Sequence, residues 1–566
     1  MNQDMKKNLN KTIGTAVLLG TPLLAAVPQQ ANGQSKDPSR PNILCVVTED
    51  ISCYLSCYGD PNAKTPNLDR FASEGIRYTN MHTPNGVSSP SRFALITGMY
   101  PSTIGGNYMR AAFHNYEVCL PDEMKAYTEF LREAGYFCTA AGKTDYQIGV
   151  TPAQWDENGF TASWKNCPEG TPFMSIINIM TTHESMIWSR KDELEIQPED
   201  IDMSRFPYLP DDPVIRKDLA RMYTNIAIMD RQAQAYFDEI EAAGLADNTI
   251  IIWYSDNGGP IPRGKRSIYN TGTNVPFMVK FPNGYRAGEV DNRLLSFVDI
   301  PATILSLAGV EVPEYMHGKP FLGSQNAKPA EYIYAARDRY DGVTDHSASV
   351  RDHRFHYVRN YMPETCNYLD NDYRLSMPMM KRMLEMRDAG ELNEDQMKYF
   401  QAPRPVEEFY DLLNDPYELN NLADDPAFRY DFERLKAEFD RWNNSDNILW
   451  NTKTEEEWIA EFKPNGQQRV VSDPVVNEVA DGFEVFCSTP GVSFVYKIAD
   501  KKPEKPKVDT DAQRKGMNLG MGRGMDPSKG WSYYTGPVKV EKGKYLIVKA
   551  CRTGYKTSNE VVARKK

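Results

Sequence analysis

The sequence predicts an α/β protein: a mostly parallel central sheet flanked by helices, then a smaller C-terminal α+β subdomain and a small appended β-sandwich. Three observations predict it. Short apolar runs rich in β-branched residues alternate with amphipathic helical segments from about residue 40 to 310, as in chains that build a parallel sheet. The composition shifts after about residue 325, and from about residue 470 short strands are separated by turn residues. At 566 residues the chain is also too long for one core of ordinary size.

The first element is the apolar, β-branched run Asn42–Thr48, which reads as a buried strand. Thr65-Pro66 ahead of Leu68, Phe71 and Ala72, with Gly75 behind, reads as a capped helix. A helix over 122–134, stopped by Gly135, precedes strands at 136–141 and 173–181. A long helix over 213–243 leads to the apolar strand Thr249–Ser255. Another strand runs from Pro276 to Phe281, and a helix starts near Ile300. Beyond the shift, Glu407–Leu422 reads as a compact turn-rich segment and Arg434–Trp442 as a helix. Lys501–Ser528, rich in Lys, Asp, Gly and Met, reads as a long loop. The divisions that follow are 36–325 for the first part of the α/β domain, 326–465 for the α+β subdomain and 470–566 for the β-sandwich.

The net charge is −12 and no basic block is present, which argues against nucleic acid as a partner. An anionic ligand remains compatible if cations gather in one pocket. Residues 1–35 read as a cleaved signal peptide. Lys6, Lys7 and Lys11 precede an uncharged apolar run, Ile13 to Val27, too short for a membrane span. No later segment reads as transmembrane, so the expected location is periplasmic or secreted. The nine cysteines leave at least one unpaired within the chain. Cys53 and Cys57 lack the further ligands of a zinc site. Cys45 and Cys138, in apolar strands, read as buried thiols, and export leaves disulfides open elsewhere.

The most informative segment is Ser88-Ser89-Pro90-Ser91-Arg92, continued by Phe93-Ala94-Leu95-Ile96-Thr97-Gly98. Read blandly, it is a loop entering a helix through Pro90. Its neighbours sharpen it. Glu49-Asp50 ends the first strand, Lys143 follows the strand 136–141, and His183 follows the strand at 173–181. Asp256-Asn257 follows Thr249–Ser255, and Lys265 lies in the loop beyond. Singly, these are loop carboxylates, a turn, a structural histidine and surface lysines. Parallel strands would bring them to one rim, where open α/β sheets bind ligands.

With these residues the chain resembles the type I, formylglycine-dependent sulfatases of the alkaline phosphatase superfamily, whose motif is Cys/Ser-x-Pro-x-Arg-x-x-Leu-x-Thr-Gly. Pro41-Asn42-Ile43-Leu44, Thr65-Pro66-Asn67-Leu68-Asp69 and Phe297-Val298-Asp299-Ile300-Pro301 are similar to further family segments. Val350-Arg351-Asp352-His353-Arg354-Phe355 is similar to the sulfamidase, or heparan N-sulfatase, branch. The tail segments Thr489-Pro490-Gly491 and Ala550-Cys551-Arg552-Thr553-Gly554-Tyr555 resemble the small β-sandwich of chitobiases and β-hexosaminidases.

The resemblance implies an alkaline phosphatase-like fold and a sulfuric ester hydrolase, N-sulfoglucosamine sulfohydrolase-like in part, acting on a sulfated carbohydrate as O-sulfate or N-sulfate. Ser88 would be oxidised to formylglycine by a serine-type maturase. Glu49, Asp50, Asp256, Asn257 and the residue at Ser88 would hold one divalent cation, Ca²⁺ by their hard oxygen donors. Arg92 would fix the formylglycine. Lys143, His183 and Lys265 would bind the sulfate, with His183 donating a proton to the leaving group. Two departures stand out. Glu49-Asp50 replaces the common pair of aspartates, and Asp145 stands where the family usually has a histidine two residues after the lysine. Two alternatives remain open: a phosphodiesterase or phosphonate hydrolase of the same superfamily, and a non-catalytic protein that binds sulfated glycans. Only seven histidines are present, few for the additional metals of the phosphoryl-transfer members.

Overall fold

The structure, a computed structural model, describes residues 39–445, 453–503, 526 and 528–565. The expected signal peptide and most of the Lys501–Ser528 loop lie outside the described residues. The centre is a nine-stranded sheet. Its strands are β1 (Asn42–Thr48), β2 (Ile76–His82), β3 (Phe137–Ala141), β4 (Glu157–Asn158), β5 (Phe173–Ile179), β6 (Thr249–Ser255), β7 (Asn274–Lys280), β8 (Glu289–Asp291) and β9 (Leu295–Ser296). They lie in the order β4-β3-β5-β1-β6-β7-β2-β8, with β9 beside β2.

Only β7 reverses direction, pairing antiparallel with β6 and β2. The expected strand near Pro276–Phe281 is thus present, but no helix crosses the sheet face between β6 and β7, and such a connection can only return antiparallel. All other strands end at one edge. β2 was not read from the sequence: Arg77, Thr79 and Asn80 break its apolar run.

Side chains alternate across β1. Ile43, Cys45 and Val47 enter the core on one face, Leu44 and Val46 that on the other. The long helix Pro213–Ala242 covers the second face, with Ile215, Leu219, Met222, Ile226, Met229, Ala233, Phe237 and Ile240 recurring every three or four residues. Helices Ser88–Thr97, Tyr127–Glu133 and Asp299–Leu307 cover the first. The helix expected over 122–134 is shorter because Ala126 is extended (φ −61°, ψ 136°). Thr65 does not cap its helix; its Oγ1 accepts from the Ser56 amide at 3.1 Å instead.

Two carboxylates, Asp218 and Asp230, are buried along the long helix. Asp218 Oδ2 accepts from the Met379 amide at 2.7 Å, and burial pushes its pKa up to about 7. Because the folded value lies above the unfolded one, the group's contribution to stability is fullest below about pH 4 and is lost as pH rises through 7. Asp218→Asn keeps the acceptor and removes the charge. We expect it to raise Tm by on the order of 2 °C at pH 8, with the gain shrinking as pH falls toward 4, read by thermal melts across that range.

A second, antiparallel sheet joins Ile333–Arg337, Ser347–Arg351, Phe355–Asn360 and Glu407–Asp411, with helix Arg429–Asn443 across one face. The segment expected to be turn-rich therefore opens with a strand. Its two leading glutamates mask it: Glu407 pairs with Arg359 and Lys436, and buried Glu408 accepts from Tyr269 at 2.7 Å. The tail builds a two-stranded sheet, Val475–Val479 with Gly482–Phe486. Its four-stranded sheet contains Ser493–Ala499, Ser532–Tyr533, Tyr545–Cys551 and Val561–Arg564. Phe483, Val485, Val538, Leu546 and Val548 fill the space between the two sheets.

The tail docks on the segment that precedes and follows β3. Buried Arg132 donates to the carbonyls of Pro152, Ala153 and Trp531, and Ser493 donates to Glu129 at 2.6 Å. Gly554 (φ 85°) sits so close that a Cβ would lie 2.5 Å from Cys119 Cα. All nine cysteines are unpaired. Among the described residues no helix is long and apolar enough to cross a membrane.

Candidate active site

The shared strand edge gathers the residues singled out in the sequence. Thr48 ends β1 and delivers Glu49 and Asp50, Ser255 ends β6 and delivers Asp256 and Asn257, and all four are fully buried. Lys143 follows β3 and His183 follows β5. β2 ends at His82 and leads to Ser88, so a fifth strand points at the same place.

Ser88 is the first residue of the helix Ser88–Thr97, which Gly98 closes in the left-handed conformation (φ 70°). Its hydroxyl, 1% exposed, donates to Asn257 Oδ1 at 2.9 Å. Asn257 Nδ2 in turn donates to Asp50 Oδ1 at 3.0 Å. The first amides of a helix favour negative charge beside them, so Ser88 lies where an anion is welcome.

Glu49, Asp50 and Asp256 each bring an oxygen to within 4.8 Å of the others. Three cations answer them. Arg92 donates to Glu49 at 2.6 Å and to Asp256 at 2.9 Å; Lys143 reaches Glu49 at 2.7 Å; Lys265 spans both Asp50 oxygens at 2.7 and 2.8 Å. Burial alone would raise the Glu49 pKa, but Lys143 and Arg92 outweigh it and hold the carboxyl below its usual range. Burial would strip Lys265 of its proton; Asp50 and Glu184 reverse that and keep it an ammonium. Arg92 also donates to Asn178 at 2.8 Å.

His183 Nδ1 lies 2.8 Å from Ser185 Oγ, and burial followed by the Lys265 charge pushes its pKa down. Asp145 stands beside the cluster with its carboxylate 3.8 Å from Lys143 Nζ. Asp50 (φ 49°), Asp145 (φ 48°) and Arg266 (φ 75°) all take left-handed backbone, which costs free energy in a non-glycine residue and concentrates at functional sites.

Comparison with known proteins agrees with this geometry. Residues 41–310 match the family model described as Sulfatase, and residues 263–374 the one described as N-sulphoglucosamine sulphohydrolase, C-terminal. An ulvan-active sulfatase of Formosa agariphila is 37% identical over 567 residues, covering 93% of this chain and 91% of its own. The chain belongs to the sulfatase family. This sulfatase is also 25% identical to human N-sulphoglucosamine sulphohydrolase, over 72% of this chain and 91% of the relative. Its fold is that of a solved 2-O GAG sulfatase, at TM-score 0.55 and 18% identity, with 73% of this chain and 94% of the other covered. Phosphonate Monoester Hydrolase of Agrobacterium radiobacter is similar too, at TM-score 0.52 and 18% identity, over 72% and 97%.

Four residues of the sulfatase's site were missed in the sequence. Glu184 accepts from both Nη atoms of Arg266, at 2.9 and 2.8 Å, and from Arg374 Nη1 at 2.7 Å. Its carboxylate lies 3.5 Å from Lys265, and its backbone amide donates to Asp50 Oδ2 at 2.7 Å. Asn178 joins β5 to β3 by donating to the Ala141 carbonyl at 3.0 Å. Glu184 and Arg266 directly follow His183 and Lys265, so charged residues in adjacent pairs were the available signal. Arg374 is remote in sequence and left none.

Proposed function

We propose that this sulfatase hydrolyses sulfate from a sulfated glycan, as O-sulfate or N-sulfate, with Ser88 converted to formylglycine. The observation that carries the reading is the placement of the Ser-x-Pro-x-Arg motif: Ser88 opens a helix, bonded to Asn257 at the edge of a three-carboxylate cluster. Glycan substrates are supported by the names of the relatives, ulvan-active for one and N-sulphoglucosamine for another. A serine-type maturase acting before export to the periplasm or beyond completes the reading.

The oxygen donors of Glu49, Asp50, Asp256, Asn257 and the residue at 88 suit one divalent cation, and their hardness favours Ca²⁺. They fit it on charge as well as chemistry. The carboxylates are deeply buried, and Arg92, Lys143 and Lys265 already balance them, which leaves a dication to answer the sulfate. When bound, the cation would supply charge neutralisation and Lewis-acid polarisation. The hydrated formylglycine offers two hydroxyls on one carbon, one to attack sulfur and one to expel sulfate afterwards. Lys143 and Lys265, turned from their carboxylates, take sulfate oxygens as negative charge grows in transfer. His183 gives a proton to the departing oxygen or nitrogen; the substrate's negative charge offsets the burial that depresses its pKa. Asp145, 3.8 Å from Lys143, would accept a proton from the nucleophile in place of the family's histidine.

The test is a mass measurement on the peptide containing Ser88 after coexpression with a serine-type maturase, paired with sulfate release from defined sulfated mono- and disaccharides. The expected peptide is lighter by two hydrogens, and active protein carrying only serine there would overturn the mechanism. Chelation should lower turnover by on the order of 100-fold, the scale of losing one electrostatic stabiliser, with recovery on adding Ca²⁺. The same Ca²⁺ should raise Tm of the unconverted protein, because it binds the folded state alone. Full rates in excess chelator would remove the metal from the scheme.

A further inference from the structure

Carboxylates hold Arg92, Lys143 and Lys265 in place on the rim. His183 has no such partner. Among the described residues its ring makes two hydrogen bonds, both at Nδ1 and both to Ser185, with the hydroxyl at 2.8 Å and the backbone amide at 3.3 Å. Nε2 makes none. A backbone amide can only donate, so Nδ1 accepts, and the single proton of the neutral ring sits on Nε2. The backbone around the ring is fixed separately. The His183 amide donates to the Met180 carbonyl at 3.1 Å and the Met186 amide to the His183 carbonyl at 2.8 Å. Glu184, between His183 and Ser185, is locked by Arg266 and Arg374. What the backbone leaves free is rotation of the imidazole, and Ser185 is what stops it.

We propose that Ser185 is the positioning residue of His183, holding Nδ1 so that Nε2 is the atom that meets the leaving group. The inference rests on the reading of His183 as the proton donor and adds the residue that orients it. Two other histidines of the chain show why a serine matters here. His346 Nδ1 lies 2.6 Å from Asp338, and His356 Nδ1 lies 2.5 Å from Glu418. A carboxylate only accepts, so it favours a ring protonated on the nitrogen that faces it. A serine hydroxyl donates or accepts, so it favours neither state.

The hydroxyl donates to Nδ1 while the ring is neutral. When a proton from solvent joins Nδ1, the hydroxyl turns and accepts from it, and the ring changes charge without moving. In the transfer the Nε2–H bond breaks and its electron pair stays on Nε2. The proton joins the departing oxygen or nitrogen through the pair released when its bond to sulfur breaks. The ring is left neutral, with its remaining proton on Nδ1 and still accepted by Ser185 Oγ. Tyr373 shares a hydrogen bond with the same hydroxyl. Its own ring packs edge-on against Trp188, with centroids 5.3 Å apart. A phenol that donates to Oγ leaves the serine proton for Nδ1.

A double-mutant cycle on the matured enzyme tests this, read by sulfate release from the defined saccharide it desulfates fastest. Ser185→Ala should lower kcat by about 10- to 100-fold, a part of what a positioned proton donor contributes, with KM within about threefold of the parent. In the His183→Gln background the same substitution should have no further effect, because a residue that acts only through another loses its effect with it. Ser185→Thr keeps the hydroxyl and should recover most of kcat. Alanine suits the short helix Ser185–Ser189, and thermal melts confirm that the variants fold. Parent kcat in Ser185→Ala, or the same fall in both backgrounds, would overturn the proposal. Nitrogen NMR of the unconverted, Ser88-bearing protein labelled with ¹⁵N-histidine reads the ring without turnover, His183 being assigned by its loss in His183→Gln. At about pH 8, above the ordinary histidine range, Nε2 should carry the proton, and a ring protonated on Nδ1 instead would overturn the assignment. If the matured enzyme releases no sulfate from any saccharide, the parent reading fails, and the NMR still decides which nitrogen Ser185 holds.

Discussion

Ser88→Ala is expected to abolish sulfate release, by at least about 10⁴-fold, while leaving the fold intact. The side chain lost is one hydroxyl. It is 1% exposed and makes one hydrogen bond, to Asn257 at 2.9 Å. Losing it costs roughly 1 kcal/mol, and alanine is the best helix former for the first turn it occupies. Tm should therefore stay within a few degrees of the parent. Chemistry should be lost entirely because no other group on the rim can carry the two oxygens the reaction needs. In the proposed mechanism Asp145 and His183 act on protons, and the lysines on charge. Ion chromatography of released sulfate and a thermal melt together check the claim. Measurable turnover in the variant would place the nucleophile elsewhere, and loss of folding would make Ser88 a structural residue.

How much of this was legible in the sequence depended on whether a residue's meaning is local. β1, β5 and β6 are continuous apolar runs, and the long helix carries a regular stripe, so their existence and order could be read directly. Glu49, Asp50, Asp256, Asn257, Lys143 and His183 all follow such runs, which is why a one-dimensional reading placed them on one rim. β2 escaped because Arg77, Thr79 and Asn80 interrupt it, although it is the strand that delivers Ser88. The strand Glu407–Asp411 escaped because its charge is neutralised by Arg359 and Lys436 from other elements. The antiparallel turn of β7 depends on what lies between strands rather than in them. Arg92, expected to fix the formylglycine, braces Glu49 and Asp256 beside an unmodified Ser88. A motif fixes which residues recur together; it does not say which atom each one touches. Glu184 belongs to this second class: its meaning lies wholly in three cations distant from it in sequence or unmarked by any motif.

Glu184→Gln should have the next largest effect, on stability and turnover together. The carboxylate is 1% exposed and answers Arg266, Arg374 and Lys265 at once. Burial would raise its pKa, but Arg266, Lys265 and Arg374 outweigh that and hold it well below the usual carboxylate range. An amide keeps the shape and removes the charge. It turns an NH₂ toward a guanidinium and leaves buried cations undercompensated, a change that costs about 3–5 kcal/mol. Because the folded pKa is depressed, the parent's advantage is fully present above the ordinary glutamate value near 4.5 and is lost as pH falls toward the folded value. The Tm gap between parent and variant should thus be flat from pH 8 to about 5 and close below it. Turnover separates positioning from bulk stability. With Glu184 neutral, Lys265 is drawn fully onto Asp50 and withdrawn from sulfate, so kcat/KM should fall about 100-fold at temperatures where the variant remains folded. Glu184→Asp, which restores the charge one methylene short, should recover part of kcat/KM. A variant that melts earlier but turns over normally when folded would reduce Glu184 to a structural anion. An unchanged Tm gap at pH 4 would show that its charge was not what held the three cations.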